Sequence, residues 1–246
     1  MIENSTIFIA IVFAIAGLVK GVIGLGLPTI AMGLLAIVMS PVEAAAILIL
    51  PSFVTNVWQT LAGPSLLAIV RRLWLMMAGV CLGTWAGMGL MTAVGATYGT
   101  AFLGIALVLY AIAGLASFRM TVQPSQEGWL GPVVGGVTGL ITAATGVFVI
   151  PAVPYLQAIG LTKEDLVQAL GLSFTVSTVA LAVNVAVEGG FNVGVAGANF
   201  GALAMACLGM WAGQTLRLRL QPEKFRTIFF AGLLILGVYL FARAVI

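Results

Sequence analysis

The sequence has no histidine and very few charged residues. Only 7% of its 246 residues are charged, whereas 62% are apolar. About a quarter of the residues in a soluble domain are charged, so ten basic and seven acidic side chains cannot cover a soluble protein of this size. The composition therefore excludes a soluble domain and predicts a protein embedded in the lipid bilayer.

The same scarcity excludes several kinds of functional site. Without histidine the chain cannot build imidazole metal sites or histidine proton relays. Two cysteines are too few for a disulfide framework, and the sequence contains neither a phosphate-binding loop nor paired carboxylates within an apolar segment. We therefore expect no enzyme, no metal and no cofactor. The net charge of +3 reflects basic loops at a membrane surface and not a nucleic-acid partner.

Apolar segments occupy most of the chain, and two of them are too long for one spanning helix. At 1.5 Å per residue, 6–39 and 129–160 would each reach about 50 Å, beyond a membrane core of about 30 Å. Glycine and proline, which break helices, interrupt them at 21–28 and at 139–146, which is followed by Pro151. Each is therefore predicted to be a broken or re-entrant hairpin. The remaining segments are 42–62, 72–93, 97–118, 164–187, 194–216 and 225–246.

The two halves of the chain resemble each other. Cys81–Gly87 and Cys207–Gly213 match at six of seven positions, and the two broken segments correspond at an offset near 118 residues. Glycines at four-residue spacing in these segments are expected where helices approach closely. The matches predict two copies of one unit, 1–120 and 121–246, within a single domain. That domain, 1–246, is predicted to be an all-α polytopic membrane protein with about eight to ten membrane segments.

Loop charges indicate that the two copies have opposite orientations in the membrane. The loop 63–72 is basic whereas its counterpart 188–193 has no Lys or Arg, and the bare loop 94–96 corresponds to the basic loop 217–226. The basic loops are expected in the cytoplasm, which leaves both termini in the periplasm. Inverted repeats with interrupted helices are typical of secondary transporters.

The broken segments contain the candidates for a binding site. Lys20 lies inside the first one, far from any loop, and a cation at that depth is costly and usually functional. Both hairpin tips are expected near the membrane midplane, where half-helix N-termini favour anions. Gly24 and Gly26 would let an anion approach the backbone, and Thr29 adds a hydroxyl. Alternatively, Lys20 snorkels to the surface or pairs with a carboxylate.

Polar residues on the next helix of each copy are expected to line the same cavity. Asn56 is the strongest candidate, since an amide buried within a helix needs partners, and Ser177 is the candidate on the second helix. Thr142 and Thr145, at the second hairpin tip, could donate hydroxyls. Alternatively, these groups bond between helices or cap a broken helix. Further polar residues of the two helices are Ser52, Thr55, Gln59, Thr60, Ser173, Thr175 and Thr178.

Two acidic residues, Glu43 and Glu164, occupy equivalent positions just after the hairpins. Both are candidates for proton coupling. The alternative, which we favour, is that an acid in the first turn of a helix simply complements the helix dipole.

The chain resembles the TauE/SafE family of sulfite exporters, also known as the toluene-sulfonate uptake permease family, over nearly its whole length. The second copy departs from the pattern at 142–145, where Thr-Ala-Ala-Thr replaces expected glycines. The resemblance implies transport of sulfite, sulfonates or related organosulfur anions across the bacterial inner membrane, in either direction. The first motif is matched by Gly17, Gly21, Gly24, Gly26 and Pro28, and the second by Gly136, Gly139, Gly146 and Pro151.

The residues and the resemblance together predict a secondary transporter of a small anion, with alternating access at a midplane site between the two hairpins. The expected partners are the anion, the lipid bilayer and a coupling proton, and a homodimer stays open. The alternative is an anion channel, or a uniporter for another small carboxylate or oxyanion.

Overall fold

The computed structural model describes residues 2–93, 95–116, 121–189, 196–217, 219 and 221–245. These residues form helices and no strands, and seven of the helices are long and apolar enough to cross a membrane. The predicted all-α polytopic fold is therefore confirmed. In chain order the helices are α1 (Ile2–Ile23), α2 (Leu27–Leu35), α3 (Pro41–Leu61), α4 (Leu66–Ala86), α5 (Leu90–Ala93), α6 (Gly95–Leu115), α7 (Pro124–Thr145), α8 (Ala152–Ala158), α9 (Lys163–Val187), α10 (Ala196–Arg217) and α11 (Pro222–Val245).

Each of the two long apolar segments forms a full-length helix followed by a short one. The first helices, α1 and α7, have 22 residues each, whereas α2 has nine and α8 has seven. At 1.5 Å per residue, nine residues reach only about 14 Å, less than half of the membrane core. The hairpins are therefore re-entrant elements with one long and one short arm, and a count of ten full spans does not fit these lengths.

The two breaks have the same local geometry. The N–H of Gly24 donates to the carbonyl oxygen of Lys20, and the N–H of Gly146 donates to that of Thr142, each over 2.8 Å. Both glycines have a positive φ, 79° and 70°, which residues with a Cβ rarely adopt. Lys20 and Thr142 are thus equivalent at an offset of 122 residues. This offset differs from the predicted one near 118, because glycine spacing differs between the two segments, and the repeat itself stays a prediction.

Two helices, α4 and α7, begin or end outside the limits of the apolar segments that the sequence indicates. The helix α4 covers Leu66–Ala86 and not 72–93, because apolar residues before the arginine pair extend it and Gly87 ends it. The helix α7 begins at Pro124, five residues before the predicted start at 129. Proline is favoured in the first turn of a helix, because an N–H there has no intrahelical acceptor and its absence removes no hydrogen bond.

Glycine faces hold α1 against α10 and α4 against α7. A Cβ on Gly209 would lie 2.2 Å from the carbonyl oxygen of Ala14, and one on Gly83 would lie 2.0 Å from that of Gly136. Backbones this close leave no room for side chains, which is how helices associate in lipid. The two contacts recur at offsets of 126 and 122 residues. This recurrence supports the two-copy organisation, which stays a prediction.

The helix directions support an inverted relation between the copies. The predicted counterparts α3 and α9 run antiparallel. Ser52 in the middle of α3 contacts Thr178 in α9. Gln168, near the start of α9, bonds to Gly63, which lies beyond the end of α3. The helices α1 and α10 run parallel, because their glycine contacts advance four residues along both. An antiparallel crossing of counterparts is what an inverted repeat requires.

One face of the bundle collects basic residues. Gln59 donates to the carbonyl oxygen of Gly24 over 3.2 Å, which places the end of α1 beside the end of α3. The helix α10 runs in the same direction as α1. The end of α10 and the starts of α4 and α11 therefore share this face, here named the basic face. Arg119 lies outside the described residues. The basic face carries Arg71, Arg72, Arg217, Lys224 and Arg226.

Replacing Gly83 with alanine is expected to weaken the contact between α4 and α7. The new methyl group would meet the Gly136 carbonyl oxygen, and separating the helices to make room costs about 1–3 kcal/mol. Thermal unfolding in detergent would record a lower Tm. The control is Gly232→Ala, because a Cβ on Gly232 meets nothing within 4 Å. Equal Tm values for the two variants would contradict the packing described at Gly83.

Candidate functional site

Lys20 is buried in the last turn of α1, and only 3% of it is exposed. Its ammonium group donates to Thr55 Oγ1 over 3.1 Å and to Asn56 Oδ1. The carbonyl end of α1 adds the negative end of a helix dipole beside the charge. The structure thus brings Lys20 and Asn56 together, and the snorkelling alternative does not fit the burial of Lys20.

The hydrogen-bond partners of Lys20 are both neutral. In the part of the chain that the structure describes, the one ion pair joins Arg72 and Glu127, over 2.7 Å. Dipolar partners supply no counter-charge, and holding a positive charge away from water is costly. The site is therefore a buried amine without a carboxylate partner among the described residues, an arrangement suited to an anionic ligand.

Asn56 links Lys20 to the contact between the two halves of the chain. Its Nδ2 donates to Ser52 Oγ over 3.0 Å, and Ser52 Oγ lies 3.2 Å from Thr178 Oγ1 on α9. Thr178 in turn donates to the carbonyl oxygen of Phe174 over 2.6 Å. Lys20, Asn56, Ser52 and Thr178, here named the polar chain, therefore join α1, α3 and α9.

The first hairpin leaves space for a ligand beside one of its two candidate glycines. A Cβ on Gly24 would meet nothing within 4 Å, whereas one on Gly26 would lie 3.0 Å from Val19 and 3.1 Å from Phe229. The space expected beside Gly26 is thus filled by side chains. Thr29 Oγ1 donates to the carbonyl oxygen of Gly26 over 2.9 Å, so its proton is used within the hairpin.

At the second hairpin the threonine hydroxyls bond to their own helix. Thr142 donates to the carbonyl oxygen of Thr138 and Thr145 to that of Ile141, each over 2.7 Å. Thr145 also accepts from the N–H of Val147 over 3.2 Å. These bonds agree with the alternative stated above, in which the threonine hydroxyls cap a broken helix. A direct contact of Thr142 or Thr145 with an anion stays a prediction.

Two serines of α9, Ser173 and Ser177, are fully buried, and neither hydroxyl has a partner among the described residues. They lie four residues apart and therefore share one helix face. Phe174, three residues before Ser177, packs at 5.3 Å between ring centroids against Phe148 in the second break. Ser177 therefore lies about one turn along α9 from a residue that contacts the second break, and its hydroxyl is a buried donor without an acceptor, which is costly.

Lys20 and Asn56 are the part of the polar chain that lies toward the basic face. Asn56 is five residues before Leu61, where α3 ends, and the first break is level with Gln59. Ser52 adjoins Pro51, the centre of this 21-residue helix. The polar chain therefore extends from the centre of α3 toward its end, and a site at the membrane midplane stays a prediction.

Glu43 and Glu164 lie away from the polar chain, and both are exposed. The Glu43 carboxylate accepts from the N–H and the hydroxyl of Ser40 over 2.9 and 2.8 Å, which completes a capping box. Glu164 lies in the first turn of α9, where Thr162 is the N-cap. These positions fit the helix-dipole alternative, and a role of either residue in coupling stays a prediction.

Sequence reasoning missed three polar residues of α9. Gln168 is fully buried and donates to the carbonyl oxygens of Thr60 and Gly63 over 2.7 and 2.9 Å, so it fixes the turn between α3 and α4. Asn184 and Glu188 lie at the other end of α9 and have buried atoms without partners in the described structure. The available signal was the one that singled out Asn56, an amide or acid in an apolar helix.

The sequence matches a known family along nearly its whole length. Comparison with curated proteins and with solved structures gave no significant match. The family model described as "Sulfite exporter TauE/SafE" matches residues 9–240, a range that includes both hairpins and the entire polar chain. The family is one of transporters, which agrees with a multi-pass helical protein that has a buried cation. The chain belongs to the sulfite exporter TauE/SafE family.

Proposed function

We propose that the protein is a secondary transporter that carries a small sulfur oxyanion, sulfite or a sulfonate, through a site built around Lys20. The family supports the substrate class, because it is named for sulfite export. The observation that carries the proposal is the buried Lys20 ammonium group, whose hydrogen-bond partners are neutral oxygens. A bound anion supplies the negative charge that the site lacks.

The strength of the interaction depends on the burial of Lys20. Two unit charges 4 Å apart attract each other by about 1 kcal/mol in water and by about 4 kcal/mol at an effective dielectric constant of 20. An anion therefore gains more from Lys20 than from an exposed arginine on the basic face. The hydroxyl of Ser177 and the open backbone beside Gly24 are the further groups that we assign to the anion.

Alternating access requires two units that move against each other. Each glycine contact joins helices from different halves of the sequence, so the halves cannot separate as rigid bodies. We therefore assign α1, α3 and α10 to one unit, and α4, α7 and α9 to the other. The polar chain crosses between them at Ser52 and Thr178, and Gln59, Thr60 and Gln168 add further hydrogen bonds between α3 and α9. The anion at Lys20 would be exposed to each side in turn.

The orientation in the membrane follows from charge. We assign the basic face to the cytoplasm, as lysine and arginine accumulate in cytoplasmic loops, and both ends of the chain to the periplasmic side of a bacterial inner membrane. The sequence has no nucleotide-binding loop, so an ion gradient or the gradient of the anion itself drives transport.

Neutralising Lys20 is expected to abolish high-affinity transport. In proteoliposomes with labelled sulfite, Lys20→Gln should raise KM by about tenfold to a hundredfold, because a hydrogen bond to a charged group contributes about 1.5–3 kcal/mol. Lys20→Arg, which keeps the charge, should retain saturable flux. The control is Arg71→Gln, since Arg71 is an exposed cation on the basic face. An unchanged KM in folded Lys20→Gln would refute the site.

A carboxylate placed beside Lys20 is expected to preserve the stability of the protein and to abolish transport. Asn56→Asp would give the ammonium an internal counter-charge, so Tm should stay the same or rise while sulfite flux is lost. Asn56→Ser is the control, because it keeps the site neutral apart from Lys20 and should retain saturable flux. Both are measured by thermal unfolding and by uptake of labelled sulfite. Wild-type affinity for sulfite in Asn56→Asp would show that the free charge of Lys20 is not used.

Removing the hydroxyl of Ser177 is expected to weaken transport without weakening the fold. Ser177 has no partner in the described structure, so Ser177→Ala loses no internal hydrogen bond and its Tm should not fall. If the hydroxyl donates to the anion, KM should rise about fivefold or more. Ser125→Ala, at an exposed position in the first turn of α7, is the control. A lower Tm with an unchanged KM would contradict the assignment.

A further inference from the structure

Asn184 is a buried amide whose hydrogen-bonding capacity is unused. It is 1% exposed, and neither its Oδ1 nor its Nδ2 has a hydrogen-bond partner among the described residues. Beside it a half-open and almost wholly apolar groove of about 210 Å³ runs between α4 and α9, with Thr84 and Trp85 in its lining. An unsatisfied buried amide costs free energy, and a ligand that reaches the amide would remove that cost.

Glu188 lies one helical turn beyond Asn184, on the same face of α9. Its Oε1 accepts from the N–H of Gly89 over 2.9 Å, whereas its Oε2 is buried and has no partner in the described structure. Gly89 follows the end of α4, so this carboxylate lies where α4 and α9 both end. These ends are opposite the basic face, because α9 begins beside the turn between α3 and α4.

The charge and the donor atoms at this place favour a cation. Two helices present their carbonyl ends, which carry partial negative charge, and Glu188 adds a carboxylate. Asn184 Oδ1 is an amide oxygen, and Thr84 Oγ1 keeps its lone pairs because its proton is donated to the carbonyl oxygen of Val80 over 2.8 Å. Carboxylate, carbonyl and hydroxyl oxygens are hard ligands, which suit hard metal cations.

The number of carboxylates at the site indicates a cation with a single positive charge. Calcium sites draw on several carboxylate and carbonyl oxygens at once, whereas this site has one carboxylate, that of Glu188, one helical turn from Asn184. In the described parts of the chain, no group of three or more Asp, Glu, Cys or His residues is close enough to hold a metal. A monovalent cation would leave the buried site neutral, and a divalent cation would leave it with an excess charge.

We propose that Glu188, Asn184 and Thr84 form a binding site for a small monovalent cation, for which Na⁺ is the probe. The site lies within the unit of α4, α7 and α9, at the opposite side of the bundle from Lys20. Carbonyl ends of helices coordinate coupling ions in secondary transporters. A role of this site in coupling rests on the proposed function, whereas cation binding itself does not depend on it.

The test measures equilibrium binding of ²²Na⁺ to the purified full chain in detergent, with N-methyl-D-glucamine keeping the ionic strength constant and no anionic substrate present. Wild type should bind one Na⁺ per chain in a saturable way. Glu188→Gln should weaken binding by at least about tenfold. The control is Glu223→Gln, an exposed acid in the first turn of α11, which should bind as wild type does.

A second variant, Thr84→Val, keeps the shape of the side chain and removes one cation ligand, so it should weaken ²²Na⁺ binding even if Glu188→Gln does not fold. Absence of saturable binding in wild type, or equal binding in wild type and either site variant, would overturn the proposal. Displacement of ²²Na⁺ by micromolar Ca²⁺ would overturn the monovalent assignment. Because no sulfite is present, failure here leaves the anion proposal standing, and failure of sulfite transport leaves the cation result standing.

Discussion

The positive charge of Lys20 cannot reach water, so the protein or a ligand must stabilise it. The break after α1 contributes, because it ends the helix one turn beyond Lys20 and places carbonyl dipoles beside the ammonium group. Oxygens of Thr55 and Asn56 add two hydrogen bonds. None of these partners carries a negative charge. The site therefore forms without a counter-charge, and an anionic ligand that binds transiently can supply that charge.

The packing of the long helices determines how such a site can open. Glycine contacts bring the backbones of α1 and α10, and of α4 and α7, so close that these pairs behave as stiff units. The crossing of α3 and α9 combines both kinds of contact, since the hydroxyl groups of Ser52 and Thr178 meet there and Gly171 of α9 lies against the backbone of Thr60. A hydroxyl contact can break and re-form at little cost, whereas a backbone contact cannot slide without a clash. The moving units are therefore expected to combine helices from both halves of the sequence.

Much of the fold could be predicted from local sequence. Apolar length and glycine clusters located both hairpins, because a break at membrane depth needs residues that tolerate positive φ, as Gly24 and Gly146 do. The level of the first break relative to α3 could not be predicted in this way, since it depends on how α1 packs against α3. The break lies level with Gln59, near the end of α3.

The candidate site could be predicted where one residue is anomalous by itself. Lys20 and Asn56 stand out in apolar helices, and the structure places them in contact. Asn184 and Glu188 carried the same signal as Asn56 and were missed, and only the packing shows that they have buried atoms without partners among the described residues. The hydroxyls of Thr142 and Thr145 show the converse, since their bonds to their own helix are invisible in the sequence.

The central claim is that an anion binds at Lys20, and the position of a bound anion tests it most directly. Selenite has the charge and the pyramidal shape of sulfite, and selenium scatters X-rays anomalously. Crystals of the protein soaked in selenite should give an anomalous peak within hydrogen-bonding reach of Lys20 Nζ, between α1 and α3. A peak confined to the exposed arginines of the basic face, with none at Lys20, would contradict the account.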